Sequence, residues 1–150
     1  MDKVVSGGIA GGIAGLLVGL LSKILSKVKL CQLCLIKIGG GLSNQAMLAE
    51  NSALLWQVIG WLSHLLISMV LGIIFLYLLH YTGKEYILLK GVMFGAVVWL
   101  VDITIISPLL GFIPARSRPL DLLILLAYHI IFGYLAAVLS RRFAKTTAQA

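Results

Sequence analysis

Charged residues are scarce in this 150-residue chain: Asp, Glu, Lys and Arg make up 11% of it, whereas apolar residues make up 61%. Soluble domains carry about 25% charged residues, and a chain this short has too little interior to bury so much apolar surface. The scarcity of charge therefore excludes an ordinary soluble domain. It predicts one transmembrane helical domain over residues 1–150, with lipid as the surrounding solvent.

Acidic residues are scarcer than basic ones, five against twelve, and the net charge of +7 raises the question of nucleic acid binding. The basic residues lie at the ends of apolar segments, and they form no basic helix face with interleaved aromatic residues. A nucleic acid interface needs such a face, whereas basic residues that flank apolar segments anchor helices in membranes. We therefore expect the lipid bilayer as a partner, and no nucleic acid.

Catalytic signatures are also missing from the sequence. It contains no recognisable nucleophile–base pair and no metalloprotease motif, so we predict that the chain is not an enzyme and needs no cofactor. The segment GGIAGGIAG at 7–15 is rich in glycine, but no strand precedes it and no Gly-Lys-Ser/Thr follows it. A phosphate-binding loop needs that context, so these glycines are interpreted as helix-packing residues.

Cysteine occurs only twice, as the C-x-x-C motif of Cys31 and Cys34. Structural zinc usually takes four ligands, and no second C-x-x-C is present, so no metal site is predicted within one chain. A thioredoxin-like redox role would need a βαβ setting, which the sequence lacks. Three interpretations stay open: ordinary packing residues, a redox pair, or a metal site shared between two chains.

Four apolar segments reach the roughly 20 residues that a helix needs to cross a bilayer. An open chain can satisfy its backbone in lipid only as helices, so the sequence predicts an all-α integral membrane bundle of four transmembrane helices. The predicted segments are 4–25, 53–79, 87–110 and 120–139, with turns at 80–86 and 111–119. The pattern is typical of a multi-pass protein of a cell membrane.

The segment from residue 23 to residue 41 is mostly apolar but carries four lysines. It either continues the first helix or forms a short interfacial helix, ended by the glycine triplet 39–41, with its lysines reaching towards water. We prefer the interfacial helix. The polar segment 42–52 is predicted to be a loop or a short surface helix.

The orientation in the membrane does not follow from the distribution of positive charge. With four spans, six Lys and Arg residues fall on the face that holds both termini and six fall on the opposite face, so the positive-inside rule gives no answer. Either the loop assignments are wrong, or the chain inserts both ways and pairs as an antiparallel homodimer.

Glycine recurs every four residues in the first predicted helix, and a similar small face occurs in the third. This spacing places the glycines on one side of a helix, where they allow a second helix backbone to approach closely in lipid. The faces pack either within the bundle or against a second copy of the chain. The predicted packing residues are Gly7, Gly11, Gly15, Gly19, Gly91 and Gly95.

Polar and small residues form a stripe on each of the last three predicted helices, and such residues should face protein rather than lipid. At about 1.5 Å per residue, His64, Asp102 and His129 all lie roughly 12–15 Å from the same membrane face. The complete stripes are Gln57, Gly60, His64, Ser68 and Gly72; Gly91, Gly95, Trp99 and Asp102; and His129, Gly133, Ala137 and Ser140.

An unpaired Asp at mid-membrane costs about 2.5–3.5 kcal/mol on insertion scales, so Asp102 is expected to pair with His64, His129 or both. Three interpretations of this cluster are open. It forms a proton or ion pathway, it binds a divalent metal through two imidazoles and a carboxylate, or its polar groups only satisfy one another and fix the helix register.

Three segments carry a resemblance to a known family: KGVMFGAVVWLVD (90–102), PLLGFIP (108–114) and YHIIFGYLAAVLSRR (128–142). Over about residues 54–142 the chain resembles the uncharacterised YqhR-type family of small bacterial membrane proteins. The resemblance implies a bacterial cytoplasmic membrane, no enzymatic activity and no assigned functional residues. From the residues themselves we expect a small transporter or an ion- or proton-conducting protein. The alternative is a structural or accessory subunit that self-associates through its glycine faces.

Overall fold

The computed structural model describes residues 2–32, 34–41, 54–110 and 118–146, and this part of the chain is helical without a strand. Four of its helices are long and apolar enough to cross a membrane, as the sequence predicted. The segment 42–52 and nearly all of the turn at 111–119 lie outside the described residues. The helices are α1 (Lys3–Lys27), α2 (Leu35–Gly41), α3 (Leu54–Thr82), α4 (Ile87–Leu110) and α5 (Pro119–Thr146).

A separate short helix, α2, follows α1, as the sequence predicted. The chain leaves α1 at Lys27 and turns through Lys29, whose φ of 58° is left-handed, so α1 does not continue into α2. α2 packs on α3 with Ile36 and Gly39 buried. A Cβ on Gly39 would lie 3.1 Å from the carbonyl oxygen of Gly60. The glycine triplet forms the last turn of α2 and lets this helix approach the backbone of α3.

A tight hairpin joins α3 to α4. Gly83 has a φ of +80°, a conformation that other residues rarely adopt, and it follows the last residue of α3. The ammonium group of Lys90 donates hydrogen bonds to the carbonyl oxygens of Thr82 (2.8 Å) and Gly83 (2.9 Å). Lys90 therefore caps the carbonyl end of α3 from the first turn of α4 and closes the hairpin.

The helices pack as two antiparallel pairs, α1 with α3 and α4 with α5, and glycines lie where the backbones meet. A Cβ on Gly7 would lie 2.7 Å from the Cα of Ile73, and one on Gly91 would collide with the carbonyl oxygen of Gly133. The predicted packing glycines thus lie in contacts within the chain, not on an outer surface. These are Gly7, Gly11, Gly15 and Gly19 against α3, and Gly91 and Gly95 against α5.

A buried apolar core joins the two pairs, mainly through contacts between α1 and α5. The rings of Phe75 on α3 and Phe94 on α4 lie 5.3 Å apart and add a contact between the pairs. The outward faces of the long helices carry exposed Leu, Ile and Val residues, which is the arrangement expected for helices in lipid. The core residues are Ala14, Val18, Phe75, Leu79, Leu125, Tyr128, Phe132, Ala136 and Ala137.

Candidate intramembrane polar site

The polar stripe of α3 faces α1 and α2, as its sequence spacing predicted. Near its start, Lys23 of α1 donates a hydrogen bond from Nζ to Oε1 of Gln57 (3.0 Å). One turn further, a Cβ on Gly60 would collide with the carbonyl oxygen of Ile36 in α2. The stripe is therefore an internal seam, and its polar groups find partners on neighbouring helices.

His64 lies in this seam, and its imidazole is fixed by the backbone of α1. Nε2 lies 2.9 Å from the carbonyl oxygen of Gly15, and because a carbonyl only accepts, Nε2 carries the donated proton. A Cβ on Gly19 would lie 3.1 Å from Nε2, so the imidazole needs a glycine at that position. The carbonyl of His64 accepts a hydrogen bond from Ser68 Oγ at 2.8 Å. Nδ1 of a neutral His64 is left as a proton acceptor.

His129 on α5 is fixed in a similar way by its own helix. Its Nδ1 donates to the carbonyl oxygen of Leu125, one turn earlier, at 2.8 Å. A neutral His129 therefore keeps a lone pair on Nε2. The backbone of His129 lies against Gly95 of α4, where an added Cβ would collide with the His129 carbonyl oxygen. Gly95 thus allows α4 to approach α5 next to this imidazole.

Asp102 on α4 is half-buried, and it begins a π-helical segment at Asp102–Ile106. The backbone N–H of Ser107 donates to the carbonyl oxygen of Asp102, which is the five-residue step of a π turn. Single π turns inside α-helices are rare and occur frequently at functional sites. The sequence prediction treated 87–110 as one helix without a π turn. Pro108, which has no backbone N–H and clashes with the carbonyl four residues earlier, follows the π segment directly.

His129 is within electrostatic range of the Asp102 carboxyl group. The His64 imidazole is also within electrostatic range of His129. Among the described residues, no direct hydrogen bond joins these three side chains. Each histidine instead donates a hydrogen bond from one ring nitrogen to a backbone carbonyl oxygen. The other ring nitrogen of each neutral imidazole can accept a proton.

Two buried polar atoms on α4 flank Asp102 without a hydrogen-bond partner among the described residues. They are Nε1 of Trp99, one turn before Asp102, and Oγ of Ser107, at the end of the π segment. Buried polar groups are nearly always hydrogen-bonded, and ordered water often supplies the missing partner. Trp99, Asp102 and Ser107 are called the polar line of α4 below.

The divalent-metal interpretation of the cluster finds no support in its geometry. Within the described parts of the chain, no three His, Cys, Asp or Glu side chains converge closely enough to hold a metal ion.

Sequence reasoning missed a second polar cluster, which holds the loop between α1 and α2. Asp121 in the first turn of α5 is 1% exposed, and it accepts two hydrogen bonds from Arg118, each at 3.0 Å. It also accepts from the backbone N–H of Gln32 at 3.0 Å and from the thiol of Cys31. The hydrogen bond to Asp121 raises the pKa of Arg118, so the guanidinium stays charged. No pattern in the sequence indicates that Asp121 has partners so distant along the chain.

Comparison with known proteins leaves the activity open. No curated protein matches the chain, and no solved structure matches it. A family model does match, over residues 1–150, and its description is that of a family of unknown function. This match covers the whole chain, and it does not confirm the resemblance to the YqhR-type family. The chain is a multi-pass membrane protein that belongs to the DUF6789 family of unknown function.

Proposed function

We propose that this protein conducts protons, or couples their movement to transport, through Asp102, His129 and His64. The observation that supports the proposal is that His129 lies within electrostatic range of both Asp102 and His64, on helices long and apolar enough to span a membrane. Ionisable groups are costly at that depth and are most often found there on ion or proton pathways. The setting in a bacterial cytoplasmic membrane is part of the proposal.

The hydrogen bonds of the two histidines support a relay. Because Nε2 of His64 and Nδ1 of His129 already donate to carbonyl oxygens, the remaining nitrogens are the ones that can accept a proton. A proton on the Asp102 carboxyl group can pass to His129, and an imidazolium at His129 can pass it on towards His64. The unpartnered polar atoms of Trp99 and Ser107 extend the polar line on the Asp102 side.

Proton flux into proteoliposomes tests this function directly. With a potassium diffusion potential as the driving force and an enclosed pH-sensitive dye, the wild-type chain is expected to acidify the lumen faster than empty vesicles. Asp102→Asn and His129→Gln are expected to reduce the protein-dependent flux at least about tenfold, since a single acid–base group typically contributes 10²–10⁴-fold.

Matched controls come from the same chain. Glu85 and His80 are exposed near the hairpin between α3 and α4, outside the buried site. Glu85→Gln and His80→Gln remove the same chemical groups and are expected to retain the wild-type flux. Flux that is unchanged in Asp102→Asn would contradict the proposed pathway.

The alternative function, a structural or accessory subunit, makes the opposite prediction. A wild-type chain that gives no flux above empty vesicles, and that co-purifies with a larger membrane complex, would favour it. The glycine faces do not support its self-association, because they are used within the chain, as in the contact of Gly11 with Gly72. A homodimer therefore needs another surface, and the oligomeric state in detergent is the measurement that tests for one.

A further inference from the structure

The loop between α1 and α2 brings four groups with thiol or hydroxyl chemistry into one buried cluster. Cys31 is 1% exposed and Cys34 is 5% exposed, and neither is part of a disulfide in the described structure. Ser22 of α1 binds the end of the same loop: its Oγ accepts a hydrogen bond from the backbone N–H of Leu35 at 2.9 Å. Tyr128 of α5 completes the cluster and is also 1% exposed.

The Tyr128 hydroxyl is a buried polar group without a hydrogen-bond partner among the described residues. No described residue stands in hydrogen-bonding geometry to it, yet Cys31, Cys34 and Ser22 lie close enough to interact with it electrostatically or through longer contacts. An O–H donor in this position gains a partner when a thiolate forms beside it. The hydroxyl therefore suits a site in which a cysteine becomes negatively charged for part of a reaction.

The two cysteines have different surroundings. The Cys31 thiol donates to the carboxylate of Asp121, which is itself held by Arg118 and by the backbone of Gln32. This bond fixes the Cys31 thiol and keeps its proton next to a carboxylate. Cys34 is the more exposed of the two. A packing role alone would not require a buried carboxylate directed at one thiol.

We propose that Cys31 and Cys34 form a reversible dithiol–disulfide pair, oxidised by a low-molecular-weight disulfide, with Asp121 positioning Cys31. Cys34 loses its proton to water, and its sulfur attacks one sulfur of the external disulfide, which releases one external thiol. The sulfur of Cys31 then loses its proton to water and attacks the Cys34 sulfur, and the second external thiolate leaves and takes up a proton from water. Two protein thiols are oxidised, and one external disulfide is reduced to two thiols.

Burial defines the kind of oxidant. With both thiols almost fully covered, the loop must open for the attack, and a small neutral disulfide reaches the sulfur atoms more easily than a folded protein does. Hydroxyethyl disulfide is the probe chosen for the test. The pair is independent of the proposed proton pathway, since neither cysteine interacts with Asp102, His129 or His64 in the described structure.

The test uses the full chain in detergent, treated with hydroxyethyl disulfide, quenched with acid and analysed by mass spectrometry. The wild-type chain is expected to lose two hydrogen atoms in mass, without a linked dimer, and to regain them with a reducing agent. Cys31→Ser is expected to stop at a mixed disulfide on Cys34. Cys34→Ser is expected to form its adduct at least about tenfold more slowly, because Cys31 is more deeply buried and bound to Asp121.

Asp121→Asn tests the positioning role with a readout that a general loss of structure would not produce. The first step at Cys34 is expected to be at least as fast as in the wild-type chain, because the loop opens more easily. The second step is expected to slow at least about tenfold, so the mixed disulfide accumulates in a chain that still has both cysteines. Asp2→Asn is the matched control, since Asp2 only caps the start of α1. Helix content measured by circular dichroism verifies that each variant is folded.

Three results would overturn the inference. They are disulfide-linked dimers in place of an internal disulfide, equal rates of adduct formation in the two single-cysteine variants, and thiols of the folded wild-type chain that stay reduced under conditions that oxidise the unfolded chain. An unchanged course of oxidation in folded Asp121→Asn would remove Asp121 from the proposal and leave the cysteine pair.

Discussion

Replacing Gly11 with alanine is expected to destabilise the bundle strongly, whereas replacing the nearby Gly8 is not. A Cβ on Gly11 would collide with the carbonyl oxygen of Ser68 and would lie 2.9 Å from the Cα of Gly72. These are backbone atoms, which cannot move aside as the end of a side chain can. Overpacking of a well-packed interior typically costs about 1–3 kcal/mol, and a contact with backbone belongs at the upper end of that range.

Gly8 is the matched control because it lies on the same helix, three residues away. Its added Cβ would meet Cε of Met69 at 3.6 Å and Cδ1 of Ile73 at 3.9 Å, which are ordinary contacts with flexible side chains. Reversible unfolding in mixed detergent micelles should separate the two variants by at least about 2 kcal/mol. Equal stability would mean that α1 and α3 are not in backbone contact at Gly11.

The depth of His64, Asp102 and His129 along their helices was predictable because it depends only on helix geometry. His64 and His129 each lie ten residues inside a helix, and Asp102 lies eight residues before the end of one. With a fixed rise per residue, antiparallel helices bring such positions to one level. The spacing of the glycines likewise predicted which helix faces come into contact.

Contacts that depend on the path of the chain between helices were not predictable. The proximity of His129 to both Asp102 and His64 follows from the rotation of α5 relative to α3 and α4, which no local pattern in the sequence encodes. The π turn at Asp102 is a change of one hydrogen-bonding step, and the residues Asp102–Ile106 carry no proline or glycine to indicate it. The packing of α2 on α3 depends on a turn after Lys27 that composition alone does not reveal.

The contacts of the ion pair of Arg118 and Asp121 with the loop between α1 and α2 were likewise not predictable from the sequence. Breaking this ion pair is the second substitution for which we expect a large loss of stability. Arg118→Ala is expected to lower the midpoint of unfolding, because it leaves the 1% exposed Asp121 carboxylate without its charged partner. The Arg118 side chain is itself 43% exposed, so water partly replaces it and the loss is smaller than for a fully buried pair. Arg141→Ala, which removes an exposed arginine at the far end of α5, is expected to change the stability by less than about 0.5 kcal/mol.

The loss of stability should be concentrated in the loop that Asp121 holds. Arg118 also donates from Nη2 to the carbonyl oxygen of Leu30 at 3.4 Å, and Asp121 binds Gln32, so both residues clamp the segment around Cys31 to α5. In Arg118→Ala, a maleimide is therefore expected to label Cys31 faster than in the wild-type chain, with Arg141→Ala unchanged. Arg118→Lys keeps the charge but loses the two-pronged hydrogen bond, and it should fall between the two. If stability and labelling in Arg118→Ala matched those of the wild-type chain, the pair would be an ordinary surface contact, and other interactions would hold the loop.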